Sequence, residues 1–230
     1  MSTVLIAGTQ TSRKDVYFSG GVLAPETKSR KRGKRMSREI PIAPRTLIVL
    51  CGPAGAGKST FAQQHFEPTQ VVSSDHCRAL ICDGDRTQNV DPDLFELFHF
   101  LIQKRLKLGR LTVADSTALY DFARRRLLEL AREANYHTCL LVFNVPCAVC
   151  LQRDQQRPRH VGEAEIIAQD ALLQEALQHI PHEPWEQIHV LSETDAEVRF
   201  LWQTSSEQRG RCSGQVGESE PEKPPVPPRS

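Results

Sequence analysis

Residues Gly52-Pro-Ala-Gly-Ala-Gly57-Lys58-Ser59 fill every place of the pattern G-x-x-x-x-G-K-[ST]. Each residue type there has a physical job. Glycines let the backbone curl until its N–H groups converge on a phosphate. A lysine adds a point charge beside the β- and γ-phosphates, and a serine hydroxyl suits Mg²⁺. A helix opening at Lys58 would turn its positive end toward the same anion. The expected nucleotide cradle is therefore Gly52, Pro53, Ala54, Gly55, Ala56, Gly57, Lys58, Ser59 and Thr60, with ATP and Mg²⁺ as the expected cofactors.

The cradle alone does not say where the phosphate goes, because ATP-hydrolysing proteins and kinases share it. The segment Ser73-Ser-Asp75-His-Cys-Arg78 closes the next apolar strand. In a parallel sheet, ligands sit beyond the carboxyl ends of strands. Asp75 is thus placed to take a proton from an attacking hydroxyl, or simply to cap the helix that follows. Arg78 lies three residues on and could hold an anion of the acceptor. The following strand ends in Asp115-Ser-Thr, a second carboxylate suited to hold Mg²⁺ through water. In LQRDQQRPRH, Arg153, Arg157 and Arg159 have the makings of a lid that closes over phosphates and neutralises their charge. The catalytic candidates are Lys58, Asp75, Arg153 and Arg157; Asp75 and Arg78 are the substrate-binding ones, and Ser59 and Asp115 the metal-binding ones.

The elements that must position these groups alternate. Apolar strands are expected at 46–52, 69–75, 111–116, 138–145 and 187–193, with helices at 58–67, 93–108, 121–134, 147–157, 163–179 and 194–203. In the second helix Leu94, Phe98, Leu101, Ile102 and Leu106 fall on one side. Such alternation predicts an α/β fold of the P-loop NTPase kinase type, with about five mostly parallel strands, helices on both faces and an arginine-bearing lid. Residues 1–43 hold nine Lys/Arg against three Asp/Glu, including the run KSRKRGKR at 28–35, and read as a disordered basic extension. Met36, followed at once by SREIPIAP, is an alternative start. Residues 204–230, ending PEKPPVPPRS, read as a disordered tail. The domain between them, 44–203, is net acidic, so a nucleic acid would be gripped at an end rather than coated. No apolar run approaches the roughly 18 residues a membrane span needs. Seven cysteines without a secretory leader point to reduced thiols in a cytoplasm.

Four other features read as structural. Cys147-Ala-Val-Cys150 lacks the further ligands of a zinc site and is expected to pack on the sheet. His99, Trp185 and Trp202 are expected to be packed, and Arg124–Arg126 to form a wet helix face.

GPAGAGKSTFAQQHF, VVSSDHCRAL, KRLKLGRLTVADST and VFNVP–VC–QR together resemble the kinase module of bacterial end-healing polynucleotide kinase-phosphatases, over about residues 45–202. The resemblance implies a 5′-hydroxyl kinase acting on RNA or DNA ends. It makes Lys58 and Ser59 the holders of ATP and metal, and Asp75 the general base. It gives Arg78 a phosphate of the acceptor strand, and the lid arginines the ATP phosphates. The chain departs from the family where D-A-T-N becomes Asp115-Ser-Thr-Ala118. Nothing in it resembles a phosphatase or a ligase, so those activities are expected on partner chains. A P-loop kinase of a small hydroxyl compound, or a non-catalytic ATP-dependent switch or RNA-binding module, would share the cradle. Asp75, Arg78 and the lid favour the polynucleotide kinase; the acidic core leans toward the small-molecule one.

Overall fold

The computed structural model describes residues 38–83, 90–157, 160–193 and 198–203. The strands are β1 (Arg38–Ile42), β2 (Thr46–Cys51), β3 (Val71–Ser73), β4 (Thr112–Asp115), β5 (His137–Phe143), β6 (Gln187–Leu191) and β7 (Val198–Trp202). The helices are α1 (Lys58–His65), α2 (Ser74–Cys82), α3 (Asp91–Lys107), α4 (Asp121–Glu133), α5 (Cys147–Gln155) and α6 (Glu163–His179). Five strands form one sheet in the order β3-β4-β2-β5-β6, every pair parallel. The expected α/β architecture is thus what the chain adopts.

β2 is the middle strand, and all six of its residues are buried. That is the environment a continuous apolar run demands, since a parallel strand is covered on both faces. On one face α3 contributes Leu94, Phe98, Ile102 and Leu106, four residues at helical spacing and each at most 2% exposed. They meet Leu127, Leu130 and Ala131 of α4. Leu101, expected on the same side, is only partly covered. Each fully buried Leu or Phe contributes roughly 1.5–3 kcal/mol, so this face is a strong platform. On the other face Ala62 and Phe66 of the α1 segment, Cys150 of α5 and Ile166 of α6 pack against Ile48, Leu50 and Leu141.

Two expectations fail at the edges. The last helix expected near 194–203 is not found at its described end: Val198–Trp202 is a strand paired in parallel with β1, and residues 194–197 lie outside the described residues. Its Val-Arg-Phe-Leu-Trp composition favours extended backbone, and β1 supplies the partner. Likewise the N-terminal extension does not run to residue 43. Residues 38–42 alternate exposed and buried, with Ile40 and Ile42 pointing inward. This small sheet packs on α1, where Phe200 meets Phe61 at 6.0 Å and Phe66 at 5.0 Å. The second expected strand is also shorter. A single 3-10 turn at Pro68–Gln70 precedes β3, and α2 begins at Ser74.

Trp185 is packed as expected, whereas Trp202 is 53% exposed. Cys150 is buried, Cys147 half-buried, and the described cysteines are free thiols. No helix among the described residues is long and apolar enough to cross a membrane. The basic run 28–35, Met36, Arg159 and the tail 204–230 lie outside the described residues.

Candidate active site

The phosphate loop leaves β2 at Gly52 and enters α1 at Lys58. Its curl needs left-handed backbone at Gly55 (φ 82°) and Gly57 (φ 97°). Gly55 also has no room for a side chain: a Cβ there would stand 2.5 Å from the Cys150 carbonyl oxygen. The loop is therefore pressed directly against the backbone of α5. Gly57 is the N-cap of α1; no side chain caps it and no acidic residue lies in the first turn. The amides at this helix start are left for an anion, which is the cradle that phosphate fits.

Lys58 is buried, and its Nζ donates to the carbonyls of Gly52 (2.7 Å) and Pro53 (2.8 Å). Burial pushes its pKa below the ordinary lysine value, with Arg157 adding to that, while Asp115, Cys51 and Asp75 act the other way. Asp115 ends β4 and is 5% exposed. Burial raises its pKa; the Ser59 hydroxyl, donating to its carboxylate, and the Lys58 charge lower it, and Asp75 raises it again. Asp75 lies in the first turn of α2, just past the β3 residue Ser73 that pairs in register with Asp115. The cap of α2 is Ser73, whose hydroxyl accepts the His76 N–H at 3.4 Å, so Asp75 does not serve as that cap. Lys58, Ser59, Asp75 and Asp115 thus converge at one rim.

The expected arginines divide. Arg78 is ion-paired with Asp91 at the start of α3. Arg153 on α5 reaches the cradle: its Nη1 would be 3.8 Å from a Cβ at Gly57, and its Nη2 pairs with Glu193 at 3.2 Å. Arg157 stands in the turn after α5, with its charge acting on Lys58.

Sequence reasoning missed the roles of three residues. Gln169 of α6 accepts the Ala54 N–H at 2.8 Å and is itself held by Glu165, tying α6 to the cradle. Asp154 accepts from the Val161 N–H (3.1 Å) and Gly162 N–H (3.3 Å), closing the base of the arginine-bearing loop. Burial raises the Asp154 pKa, but these two amides, His160 and Arg157 together bring it below the ordinary value. Arg124 of α4 is 1% exposed and paired with Glu183 at 2.6 Å, so it is no wet helix face. Arg125, 69% exposed, and Arg126, 43% exposed and paired with Glu129, answer that expectation. The lone sequence signal for Arg124 is its place in the helix, three residues before the buried Leu127.

Among the described residues no cluster of three or more His, Cys, Asp or Glu could hold a metal. Ser59 and Asp115 instead offer a hydroxyl and a carboxylate side by side. That oxygen set fits Mg²⁺, which keeps several waters and takes its remaining ligands from substrate phosphates. A cleft of about 1100 Å³ opens elsewhere, running between α4 and α6 from Leu119 to His137, and no cradle residue lines it.

A family profile described as AAA domain matches residues 47–179. No curated protein matches the sequence. Among solved structures, a chain of the Pnkp1/Rnl/Hen1 RNA repair complex aligns with a TM-score of 0.53 at 18% identity, over 60% of this chain and 46% of that one. Kti12 of Chaetomium thermophilum with ADP-AlF3 gives 0.47 at 16% identity, over 66% and 91%. A sugar kinase from a Janibacter species gives 0.44 at 23% identity, over 64% and 84%. The repair-complex likeness carries the fold alone, and the chain spans less than half the length of that protein.

Proposed function

The chain belongs to the AAA-domain family and carries the P-loop kinase fold, and from that premise we propose that it moves the γ-phosphoryl group of ATP-Mg²⁺ onto the 5′-hydroxyl end of an RNA or DNA strand. One observation carries the reading. Asp75 stands in the first turn of α2 at the rim, with its charge acting on both Lys58 and Asp115. A carboxylate beside the phosphate cradle is what a hydroxyl acceptor needs and a simple nucleotide switch does not.

In this reading the backbone from Gly52 to Thr60 binds the phosphates. Lys58 exchanges the Gly52 and Pro53 carbonyls for phosphate oxygens. Ser59 would hold Mg²⁺, with Asp115 contributing through water, and the ion would offset charge on the phosphate oxygens. Asp75 takes the acceptor hydroxyl's proton on its carboxylate. Arg78 trades Asp91 for a strand phosphate, and Arg153 and Arg157 neutralise the charge that spreads over the transferred group. Companion phosphatase and ligase activities on other chains and a cytoplasmic setting belong to the same reading.

The test is transfer of γ-labelled phosphate to 5′-OH RNA and DNA oligonucleotides, with Asp75→Ala alongside. Label at the 5′ end that disappears in the variant is the expected outcome. A second reading draws on the Arg78–Asp91 pair, because a small hydroxyl acceptor would need no strand-phosphate contact. Unlabelled strands with ATP still bound would select it.

A further inference from the structure

Arg124 is a large, fully buried cation that the phosphate chemistry does not use. Its Nη1 donates to two successive carbonyls, Ala118 at 3.0 Å and Leu119 at 2.6 Å. Its Nε and Nη2 donate to Glu183, at 3.0 and 2.6 Å. Glu183, which follows α6, is fixed in turn by the Trp185 indole N–H at 2.8 Å. The gripped carbonyls are the third and fourth after Asp115, and both residues are buried.

That segment needs gripping. Ala118 has φ 45°, left-handed backbone that a residue with a Cβ adopts only under strain. The turn aims both carbonyls at one nitrogen, and burial makes the loss of that donor costly, above all at Leu119. The same segment touches the cradle, since the Thr117 carbonyl accepts the Gly52 N–H at 2.9 Å and Cys51 Sγ lies 3.4 Å from the Ala118 oxygen. A lysine could not span this set, because its charge is a single point whereas the guanidinium is a planar fork.

We propose that Arg124 and Glu183 are positioning residues, a buried clamp that sets the Asp115–Leu119 turn and through it the carboxylate that receives Mg²⁺. The inference rests on the reading of Asp115 given under Proposed function. Strain confined to a turn beside a reactive group, and overdetermined by its surroundings, is the arrangement expected of a preorganised site.

The experiment is calorimetric titration of the full chain with ATP at stepped MgCl₂ concentrations, together with thermal melting. The variants are Arg124→Lys, Glu183→Gln, Asp115→Asn and the solvent-facing Arg125→Ala. Arg124→Lys and Glu183→Gln are expected to keep Mg²⁺-free ATP affinity within about threefold and to raise the half-saturating Mg²⁺ about tenfold, as loss of a ligand's supporting partner does. Arg125→Ala is expected to change neither. Should Arg124→Lys fail to fold, Glu183→Gln carries the test, being isosteric. Folded clamp variants with wild-type Mg²⁺ dependence, while Asp115→Asn shifts it, would overturn the clamp and leave the site reading standing. If Asp115→Asn leaves the dependence unchanged as well, the metal reading falls and the clamp falls with it. An equal loss of ATP binding with and without Mg²⁺ would make the pair merely structural, which also overturns the proposal.

Discussion

Two arginines flank the phosphate cradle, each paired with a glutamate, and they sit in opposite environments. Arg124 and Glu183 are 1% and 17% exposed; Arg153 and Glu193 are 39% and 45% exposed. The first pair fastens a wall of the site, made from the end of β4 and the start of α4. The second belongs to an arm, made from α5, the loop after it and α6. A pair in water is worth little and lets go easily. A pair out of water is held because either half alone would be a buried, unmatched charge. In the proposed reading the site thus has one side that stays and one side that re-partners with phosphate.

The largest break in this comparison is Arg124→Ala. It takes the cation from Glu183 and the side-chain donor from the Leu119 carbonyl, while the Trp185 N–H and the Cys51 thiol still serve Glu183 and Ala118, and urea unfolding should show a loss of about 3 kcal/mol. Arg153→Ala should do the opposite. Its melting stays within about 0.5 kcal/mol of wild type, while γ-phosphate transfer falls on the order of 10²–10³-fold, the cost of losing one preorganised donor. Equal destabilisation by the two variants would erase the distinction.

Ala118→Gly sharpens the wall side. It relieves the φ 45° backbone, which should offset the roughly 1–2 kcal/mol that losing a buried methyl and freeing the unfolded chain would cost, leaving stability within about 1 kcal/mol of wild type; a loss of about 2 kcal/mol would mean that the turn carries no strain. The smallest effect concerns the arm. The Asp154 pKa is held below its ordinary 3.8 in the fold. Its contribution is therefore full above pH 3.8 and lost as pH falls through the lower folded value. Amide protection at Val161 and Gly162 should fall in that range. Protection there that persists when the carboxylate is neutralised by Asp154→Asn would show that the arm's base is held by something else.

Much of the cradle side was legible. The phosphate loop, β2 and the faces of α3 follow from spacing and from continuous apolar runs, which are local signals. Asp75 and Asp115 followed from the rule that strand ends face ligands. What escaped was non-local. Val198–Trp202 is a strand because β1, about 160 residues earlier in sequence, pairs with it. Arg124 sits among two neighbouring arginines and reads as solvated until Glu183, 59 residues on, comes to meet it. The Ala118 departure looks like a lost amide function in the sequence. In the fold the position is a left-handed turn, a backbone that Asn tolerates better than Ala does.

The thiols around the cradle have a consequence of their own. Cys51 directly precedes the phosphate loop, and Cys139 lies behind it in the sheet. Burial pushes the first up to about 11 and the second to about 12. Held as protonated thiols and sealed from solvent, they are poor nucleophiles, so alkylating agents and peroxide have no purchase on them while the domain is closed. Their labelling then works as a clock. It runs only when the strands carrying the cradle come apart, and a tightly bound nucleotide should slow it.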